Sequence, residues 1–340
     1  MEWSVYFQNP EFMEKTRFHL IQPDMEPLVR KWCGVTQSSR ILDVGCGTGY
    51  FTRLLGRGAV TDNNADARAA EAILKETTTA ADTSSEATST LAGSSHLTVT
   101  GLDQEQPFID YARKRNEAEG FPVSYIQGNA LELPFAADSF DIVASHTFLT
   151  VIPDPEKALS EMLRVLRPGG ILASVTPMSF IPEVMDVGAY PPECTWAGEY
   201  TAMYSALYQA YDRVDPVMSY AAGLKPAEVP RFLAEHGLRD VSAYPLGKLF
   251  SLSNASMTEA EKLEWIEYQE VSELKKMDAY MTLPQMQSLF SSANAARFRT
   301  LMQEKCNWLR SHLQENAVWE WYGGANLLVT GRKPSSQITV

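Results

Sequence analysis

The stretch Ile41-Leu-Asp-Val-Gly-Cys-Gly-Thr-Gly-Tyr50 decides the fold of this chain. Residues 40–44 are apolar enough to predict a short buried strand, and three glycines follow it at every second position. Residues 51–55 then predict the start of a helix. Glycine permits positive φ and lets a ligand come close to the backbone. A strand, a glycine-rich turn and a helix in this order predict a nucleotide-type binding corner at the end of a parallel sheet.

The glycine spacing argues against a dinucleotide, because it is G-x-G-x-G and not G-x-G-x-x-G, and because Asp43 stands just before it. The stretch resembles motif I of class I S-adenosylmethionine-dependent methyltransferases, of the methyltransferase type 11 or UbiE-like superfamily. The resemblance implies that Asp43 lies near the amino group of the cofactor. It also implies that the methionine part of the cofactor faces the turn residues, which are Gly45, Cys46, Gly47, Thr48 and Gly49.

A second acidic residue ends the next predicted strand, residues 97–103. In a simple βαβ unit this acid falls ~20 residues after the glycines, whereas Asp103 lies sixty residues after Asp43. Setting aside an insertion at 58–96 restores the usual spacing. A carboxylate at this point can accept both ribose hydroxyls of an adenosine, and the resemblance implies that role for Asp103. Gln104 follows it, where the family often has an apolar residue.

The insertion at 58–96 is polar and has no aromatic residue, and its segment 77–90 is of low complexity. Such a segment buries too little apolar surface to offset its ordering entropy. We therefore expect a disordered, solvated insertion between the first helix and the second strand. A partner-binding loop is the alternative.

The third predicted strand, residues 123–128, is followed by Asn129-Ala-Leu-Glu-Leu-Pro-Phe135. This resembles the family's G-D-A-x-x-L-P-F stretch, with Asn129 in place of the acid. The resemblance implies that Asn129 accepts from the adenine amino group and that the backbone after it, at Ala130 and Leu131, reaches the ring. The alternative is that Asn129 is a turn residue, since asparagine is common after strands.

The fourth predicted strand, residues 139–145, is nearly all apolar, as a strand covered on both faces should be. Ligands of open α/β sheets bind beyond the carboxyl ends of the strands, where this strand carries Ser145 and His146. The resemblance implies that these residues lie beside the transferable methyl group. His146 is the candidate general base because histidine titrates near neutrality, and packing at the strand end is the alternative. We expect Asp154 and Pro155 to begin the next helix and residues 171–176 to form the fifth strand. No metal site is predicted.

The resemblance implies an α/β, Rossmann-like class I methyltransferase fold. Its sheet would have seven mostly parallel strands with an antiparallel last strand, helices on both faces, and helical insertions over the C-terminal edge. The expected organisation is a helical lid segment at 1–34, the cofactor-binding core at 35–180, pocket helices and a sixth strand at 181–250, a helical insertion at 251–316, the last strand at 317–334 and a tail at 335–340. A group of aromatic residues either forms an acceptor pocket or packs the helices. It consists of the tyrosines between 200 and 211, Trp319, Trp321 and Tyr322.

A net charge of −13 disfavours binding to nucleic acid or to an anionic membrane, because phosphate affinity depends on lysine and arginine. Four scattered cysteines without metal spacing predict free thiols, and we expect a cytoplasmic protein with neither leader nor membrane span. The leading function is S-adenosylmethionine-dependent methylation of a small-molecule acceptor, with S-adenosylhomocysteine as product. There are two alternatives: the protein methylates another protein, or it is a regulatory protein that binds the cofactor without turnover. The oligomeric state is not predicted.

Overall fold

The computed structural model describes residues 10, 13–14, 21, 23–57, 96–177, 190–214, 223–253, 257–314 and 321–335. Its strands are β1 Arg40–Val44, β2 Thr98–Asp103, β3 Val123–Gln127, β4 Phe140–His146, β5 Leu166–Pro177, β6 Arg239–Ser251 and β7 Trp321–Arg332. Its α-helices are α1 Glu26–Trp32, α2 Tyr50–Gly56, α3 Gln106–Glu119, α4 Pro155–Val165, α5 Ala197–Val214, α6 Val229–Glu235, α7 Glu259–Met281, α8 Pro284–Leu289 and α9 Ser292–Ser311. Short 3-10 helices at Pro23–Met25 and Pro226–Glu228 precede α1 and α6.

The seven strands form one sheet in the order β3-β2-β1-β4-β5-β7-β6. The strands β1 to β5 are parallel to one another, and β7 runs antiparallel to both β5 and β6. This arrangement confirms the predicted fold class. The parallel strands β1, β2 and β4 bring the residues that follow them to one edge of the sheet, and this edge holds the candidate site.

Each face of the sheet is covered by its own group of helices. One face packs on α1, α2 and α3, with Val29, Phe51 and Ile109 in the shared core. The other packs on α4 and α6, with Leu159 and Phe232 in the core. Asp154 caps α4 as predicted, since its carboxylate accepts from the Lys157 backbone N–H at 2.9 Å.

The sixth strand is longer than the sequence indicates. We expected the sixth strand at 239–245, but β6 continues to Ser251, which pairs with Trp321 on β7. Strand β5 ends its pairing with β7 at Pro177 and Asn326. The pairs formed by residues 247–251 with residues 321–325 therefore extend past the end of β5, on the carboxyl side of the sheet. A pleated ribbon gains backbone hydrogen bonds without needing apolar alternation, so periodicity did not reveal this extension.

Helices α7, α8 and α9 lie in the chain between β6 and β7 and pack with α5 into a helical module. This module has its own hydrophobic core, to which Leu252 at the end of β6 belongs. Thr258 and Glu261 form the predicted capping box at the start of α7. The helical module therefore has a core separate from the two that cover the sheet.

The tyrosines of α5 contact other residues of this module. The rings of Tyr204 and Tyr208 stack at 4.5 Å, and the Tyr208 hydroxyl donates to the Glu273 carboxylate at 2.8 Å. The Lys276 ammonium lies 4.7 Å from the centres of the Tyr208 and Tyr211 rings. These contacts are those of helix packing. Trp319 lies outside the described residues, as do most of the predicted N-terminal lid and the insertion at 58–95.

Candidate functional site

The glycine-rich turn after β1 is held against the end of β2 by backbone hydrogen bonds. Gly45 and Cys46 donate their N–H groups to the Leu102 carbonyl at 2.8 and 3.0 Å. The Gly47 N–H donates to Asp103 Oδ2 at 2.8 Å. Gly47 of the turn and the second acidic residue, 56 positions apart in the chain, therefore form one structure.

Asp103 ends β2 with both carboxylate oxygens oriented by backbone donors. Oδ2 accepts from Gly47, and Oδ1 accepts from the Glu105 N–H at 3.0 Å. Burial raises the pKa of Asp103 to about 6, against the opposing effect of these hydrogen bonds. A carboxylate oxygen has more than one lone-pair direction, so the group is fixed and can still accept from a ligand.

Asp43 is fully buried near the end of β1, and one of its carboxylate oxygens accepts no hydrogen bond from the described residues. The Thr52 hydroxyl donates to Oδ2 at 2.7 Å, whereas Oδ1 is buried with no hydrogen-bond donor among the described residues. Burial raises the pKa of Asp43 to about 7, with the Thr52 hydrogen bond opposing this increase and the nearby Asp103 carboxylate adding to it. A buried carboxylate in this state gains most from a cationic ligand.

The three glycines have positive φ, of 70°, 51° and 79° in order, and two of them also allow close packing by the protein itself. A Cβ on Gly45 would lie 2.5 Å from the Phe148 ring, and one on Gly49 would lie 2.5 Å from the Tyr125 hydroxyl. We expected the glycines to admit a ligand. At these two positions the structure adds a second reason, which is the approach of protein side chains.

Cys46 and Thr48 contribute to the turn through their backbones. The Cys46 side chain lies against Gly101 of β2, where an added Cβ would come within 3.0 Å of its sulfur. Burial raises the pKa of the Cys46 thiol well above its usual value, which disfavours the reactive thiolate form. The Thr48 carbonyl accepts from Arg53 at 2.9 Å. Their predicted contacts with the cofactor stay predictions.

Asn129 forms the turn that the alternative interpretation described. Its side-chain oxygen accepts from the Leu131 N–H at 2.9 Å, and its backbone carbonyl accepts from Glu132 at 3.1 Å. Ala130 is buried in the loop. Gln104 is exposed, and its carbonyl accepts from the Gln127 side chain at 3.0 Å. The loop and Asp103 thus lie at neighbouring strand ends, and their roles toward adenine stay predictions.

Ser145 and His146 end β4 in different surroundings. The Ser145 hydroxyl is fully buried and donates to Ser174 on β5 at 3.3 Å. His146 is buried against Phe51, at 5.8 Å between ring centres, and its Nδ1 lies 3.1 Å from the Thr147 hydroxyl. Thr147 has a φ of 54°, which is rare for a β-branched residue and marks a constrained strand end. The contacts of Ser145 are those of sheet packing, and those of His146 leave its predicted catalytic role untested.

Sequence reasoning missed Arg53, which is completely buried in α2. Its guanidinium donates to the Thr48 carbonyl and to Glu14 Oε1 at 2.6 Å, and its Nε lies 3.2 Å from Glu119 Oε2. The neighbouring Met13 approaches the turn, within 3.1 Å of a Cβ placed on Gly47. The sequence of α2 could have indicated this role, because Arg53 is its one charged residue. A charged side chain in a helix that is buried on all sides needs a partner of opposite charge.

Within the described ranges, no cluster of three or more histidine, cysteine or acidic side chains could hold a metal ion. Among the same residues, no helix is both long and apolar enough to cross a membrane.

A family model described as a methyltransferase domain matches residues 80–174. The demethylmenaquinone methyltransferase of Listeria welshimeri is 45% identical over 78 residues, which are 23% of this chain and 33% of that protein. The enzyme of the same name from Bacillus pumilus is 29% identical over 150 residues, which are 43% of this chain and 62% of that protein. A solved SAM-dependent methyltransferase from Aquifex aeolicus is 18% identical, with a TM-score of 0.42, over 71% of this chain and 94% of that one.

The family match and the curated relatives confirm the predicted resemblance to S-adenosylmethionine-dependent methyltransferases, and residues 80–174 are similar to a methyltransferase domain. The chain covers about a third of the length of the Listeria relative and less than two thirds of the Bacillus one.

Proposed function

We propose that this protein binds S-adenosyl-L-methionine at the corner between β1 and β2 and transfers its methyl group to a small-molecule acceptor. The observation that carries the proposal is the arrangement of Asp103. Its two oxygens are fixed by the Gly47 and Glu105 N–H groups at 2.8 and 3.0 Å, directly beside the glycine turn. A fixed carboxylate at this edge of a parallel sheet suits the vicinal hydroxyls of a ribose.

Asp43 fits the other end of the cofactor. The buried Oδ1 has no donor among the described residues, and an ammonium group would supply a donor and a positive charge together. A charge-assisted hydrogen bond of this kind contributes ~1.5–3 kcal/mol. The two carboxylates therefore match the two polar parts of one ligand, the amino acid and the ribose.

The cofactor supplies a sulfonium methyl group, which is transferred by direct displacement. The protein has to hold the acceptor in line and exclude water, so positioning provides much of the catalysis. A base is needed only when the acceptor arrives protonated. His146 is our candidate, because it is buried at the carboxyl end of β4 with Nδ1 oriented by Thr147.

A small molecule is the proposed acceptor for two reasons. The net charge of −13 is unfavourable for nucleic acid. The extension of β6 and β7 carries the helical module past the carboxyl end of β5, where it can enclose an acceptor. Because the curated relatives are demethylmenaquinone methyltransferases, demethylmenaquinone is the first compound to test.

Titration calorimetry with S-adenosylmethionine and S-adenosylhomocysteine tests the proposal on the wild type and on Asp103→Ala. We expect micromolar binding that Asp103→Ala weakens at least tenfold, or ~1.4 kcal/mol. The control is Asp110→Ala, since Asp110 is exposed on α3 and accepts from Gln106, and it should bind as the wild type does. A folded wild type that binds neither ligand would refute the proposal.

A further inference from the structure

We infer that Glu161 and Arg164 of α4 are positioning residues for the adenine end of the cofactor site, an inference that rests on the proposed function. Neither residue lies at a strand end. Both contact the backbone of the loop at 129–135, and they do so from the helix that packs beneath it.

Glu161 holds the loop through an N–H group. Its Oε2 accepts from the buried Leu133 N–H at 2.8 Å, and the carboxylate is only 8% exposed. The Arg164 guanidinium binds the same carboxylate with two hydrogen bonds, both of 2.8 Å. This pairing holds the pKa of Glu161 well below its usual range, at about 2. The carboxylate is therefore ionised, and fixed, at every pH at which the protein would be assayed.

Arg164 holds the loop through two carbonyl groups. Its guanidinium donates to the Leu133 carbonyl at 2.9 Å and to the Phe135 carbonyl at 2.7 Å. The planar, five-donor guanidinium can serve a carboxylate and two carbonyls together, which a lysine ammonium cannot do in the same geometry. The pair thus fixes three backbone groups within three residues of the loop.

The fixed segment follows directly on the residues predicted to meet adenine. Leu133 is buried in the core beneath the loop, and the turn at Asn129 closes locally onto Leu131 and Glu132. The turn alone sets the shape of residues 129–132. The contacts with α4 set where that turn stands relative to the sheet, and hence relative to Asp103.

Backbone groups can recognise a ring only if they are held to within about half an ångström. Loss of the Glu161–Arg164 pair should therefore weaken binding of any ligand that has an adenine, whatever else the ligand carries. It should not act on the amino-acid end of the site, where Asp43 lies on β1.

The test uses two ligands, S-adenosylhomocysteine and 5′-methylthioadenosine, which keeps the adenine and ribose but lacks the amino acid. We expect Glu161→Ala to weaken both by a similar factor of about ten, or ~1.4 kcal/mol. Asp43→Asn should weaken S-adenosylhomocysteine alone. The Arg164→Lys variant should bind both ligands more tightly than the Arg164→Met variant does. Hydrogen exchange of the Leu133 amide should be faster in Glu161→Ala than in the wild type.

Lys333→Met is the matched control for a general loss of stability. The Lys333 ammonium donates to the Leu163 and Leu166 carbonyls and to Asp138, so it holds the end of the same helix without touching the loop at 129–135. We expect a lower melting temperature with less than a twofold change in affinity. Equal affinities of Glu161→Ala and Lys333→Met would overturn the inference alone, whereas a wild type that binds neither ligand would overturn the proposed function with it.

Discussion

Replacing Asp43 by asparagine should make the unliganded protein more stable at pH 8 while weakening cofactor binding. The side chain is fully buried, one of its oxygens has no donor among the described residues, and its pKa is raised to about 7. The protein therefore holds a carboxylate whose charge is unfavourable until a ligand arrives. Asparagine has the same shape, and its carbonyl can still accept from Thr52.

The magnitude follows from the pKa. An increase from 3.8 to about 7 corresponds to a penalty of ~4 kcal/mol on the charged form at pH 8. The variant removes that penalty but leaves an amide N–H₂ without an acceptor, which costs ~1–3 kcal/mol. The net gain in unfolding free energy is thus ~1–3 kcal/mol at pH 8.

The sign depends on pH. Because the folded-state pKa lies above the unfolded one, the folded protein binds more protons between about pH 4 and 7, and its stability falls as pH rises through that window. At pH 5 the wild-type carboxyl group is already protonated. The advantage of Asp43→Asn should therefore be present at pH 8 and absent at pH 5.

Thermal denaturation at both pH values, with Asp141→Asn as control, measures this difference. Asp141 is a largely buried carboxylate, 9% exposed, but it accepts from the Arg40 N–H at 2.6 Å and pairs with Arg167 at 2.6 Å. The control should lower the melting temperature at both pH values. Destabilisation by Asp43→Asn at pH 8 comparable to that of the control would show that the Asp43 carboxylate is already satisfied, and would refute the reasoning.

Three further substitutions test other parts of the structure by thermal denaturation. Gly49→Ala should cost more than Gly120→Ala, since both residues have positive φ, of 79° and 72°, but only at Gly49 does an added Cβ meet a side chain within 3 Å; equal losses would contradict this. His236→Gln should be more harmful at pH 5.5 than at pH 8.5. Burial lowers the pKa of His236, but a backbone carbonyl and Glu156 raise it above its usual value, so its stabilisation is present below about pH 6.5 and is lost as pH rises through the folded-state pKa. Arg53→Met should cost ~1–3 kcal/mol, because it removes the buried partner of the Thr48 carbonyl and of Glu14 and leaves Glu14 and Glu119 paired with the more exposed Arg115, and a loss below 1 kcal/mol would show that the network contributes little.

Much of the fold could be predicted because the core follows local rules. The strands at 40–44 and 123–127 are short apolar runs, and Asp154 is a helix cap of the usual kind. The full length of β6 could not be predicted in the same way. Its residues 247–251 belong to a two-stranded ribbon stabilised by pairing with residues 321–325, which lie at least seventy residues away, and such long-range pairing leaves little trace in local sequence.

The candidate site likewise contains residues that local sequence predicts and residues that it does not. Asp43 and Asp103 were predicted because a turn and a strand end determine where they stand, and the structure brings them to one corner. Glu161 and Arg164 were missed because they bind backbone groups 28 and 29 residues away in sequence. Arg53 was missed because its acidic partner, Glu14, lies 39 residues away. Charged residues in helices are usually solvated, so composition alone assigns them to the surface.

The two halves of the site therefore depend on different parts of the molecule. The proposed cofactor half would be built from the ends of β1 and β2, where Gly47 donates to Asp103, with α4 holding the neighbouring loop through Glu161. The acceptor half would be built by the β6–β7 extension and the helical module, whose hydrophobic core is separate from the two cores that flank the sheet. Changes inside the module's core, at Phe298 for example, should alter which acceptor is used without altering S-adenosylhomocysteine affinity, because no hydrogen bond described for the Asp43 and Asp103 carboxylates involves the module. A methyltransferase domain organised in this way can keep its cofactor chemistry while its acceptor changes through the inserted helices.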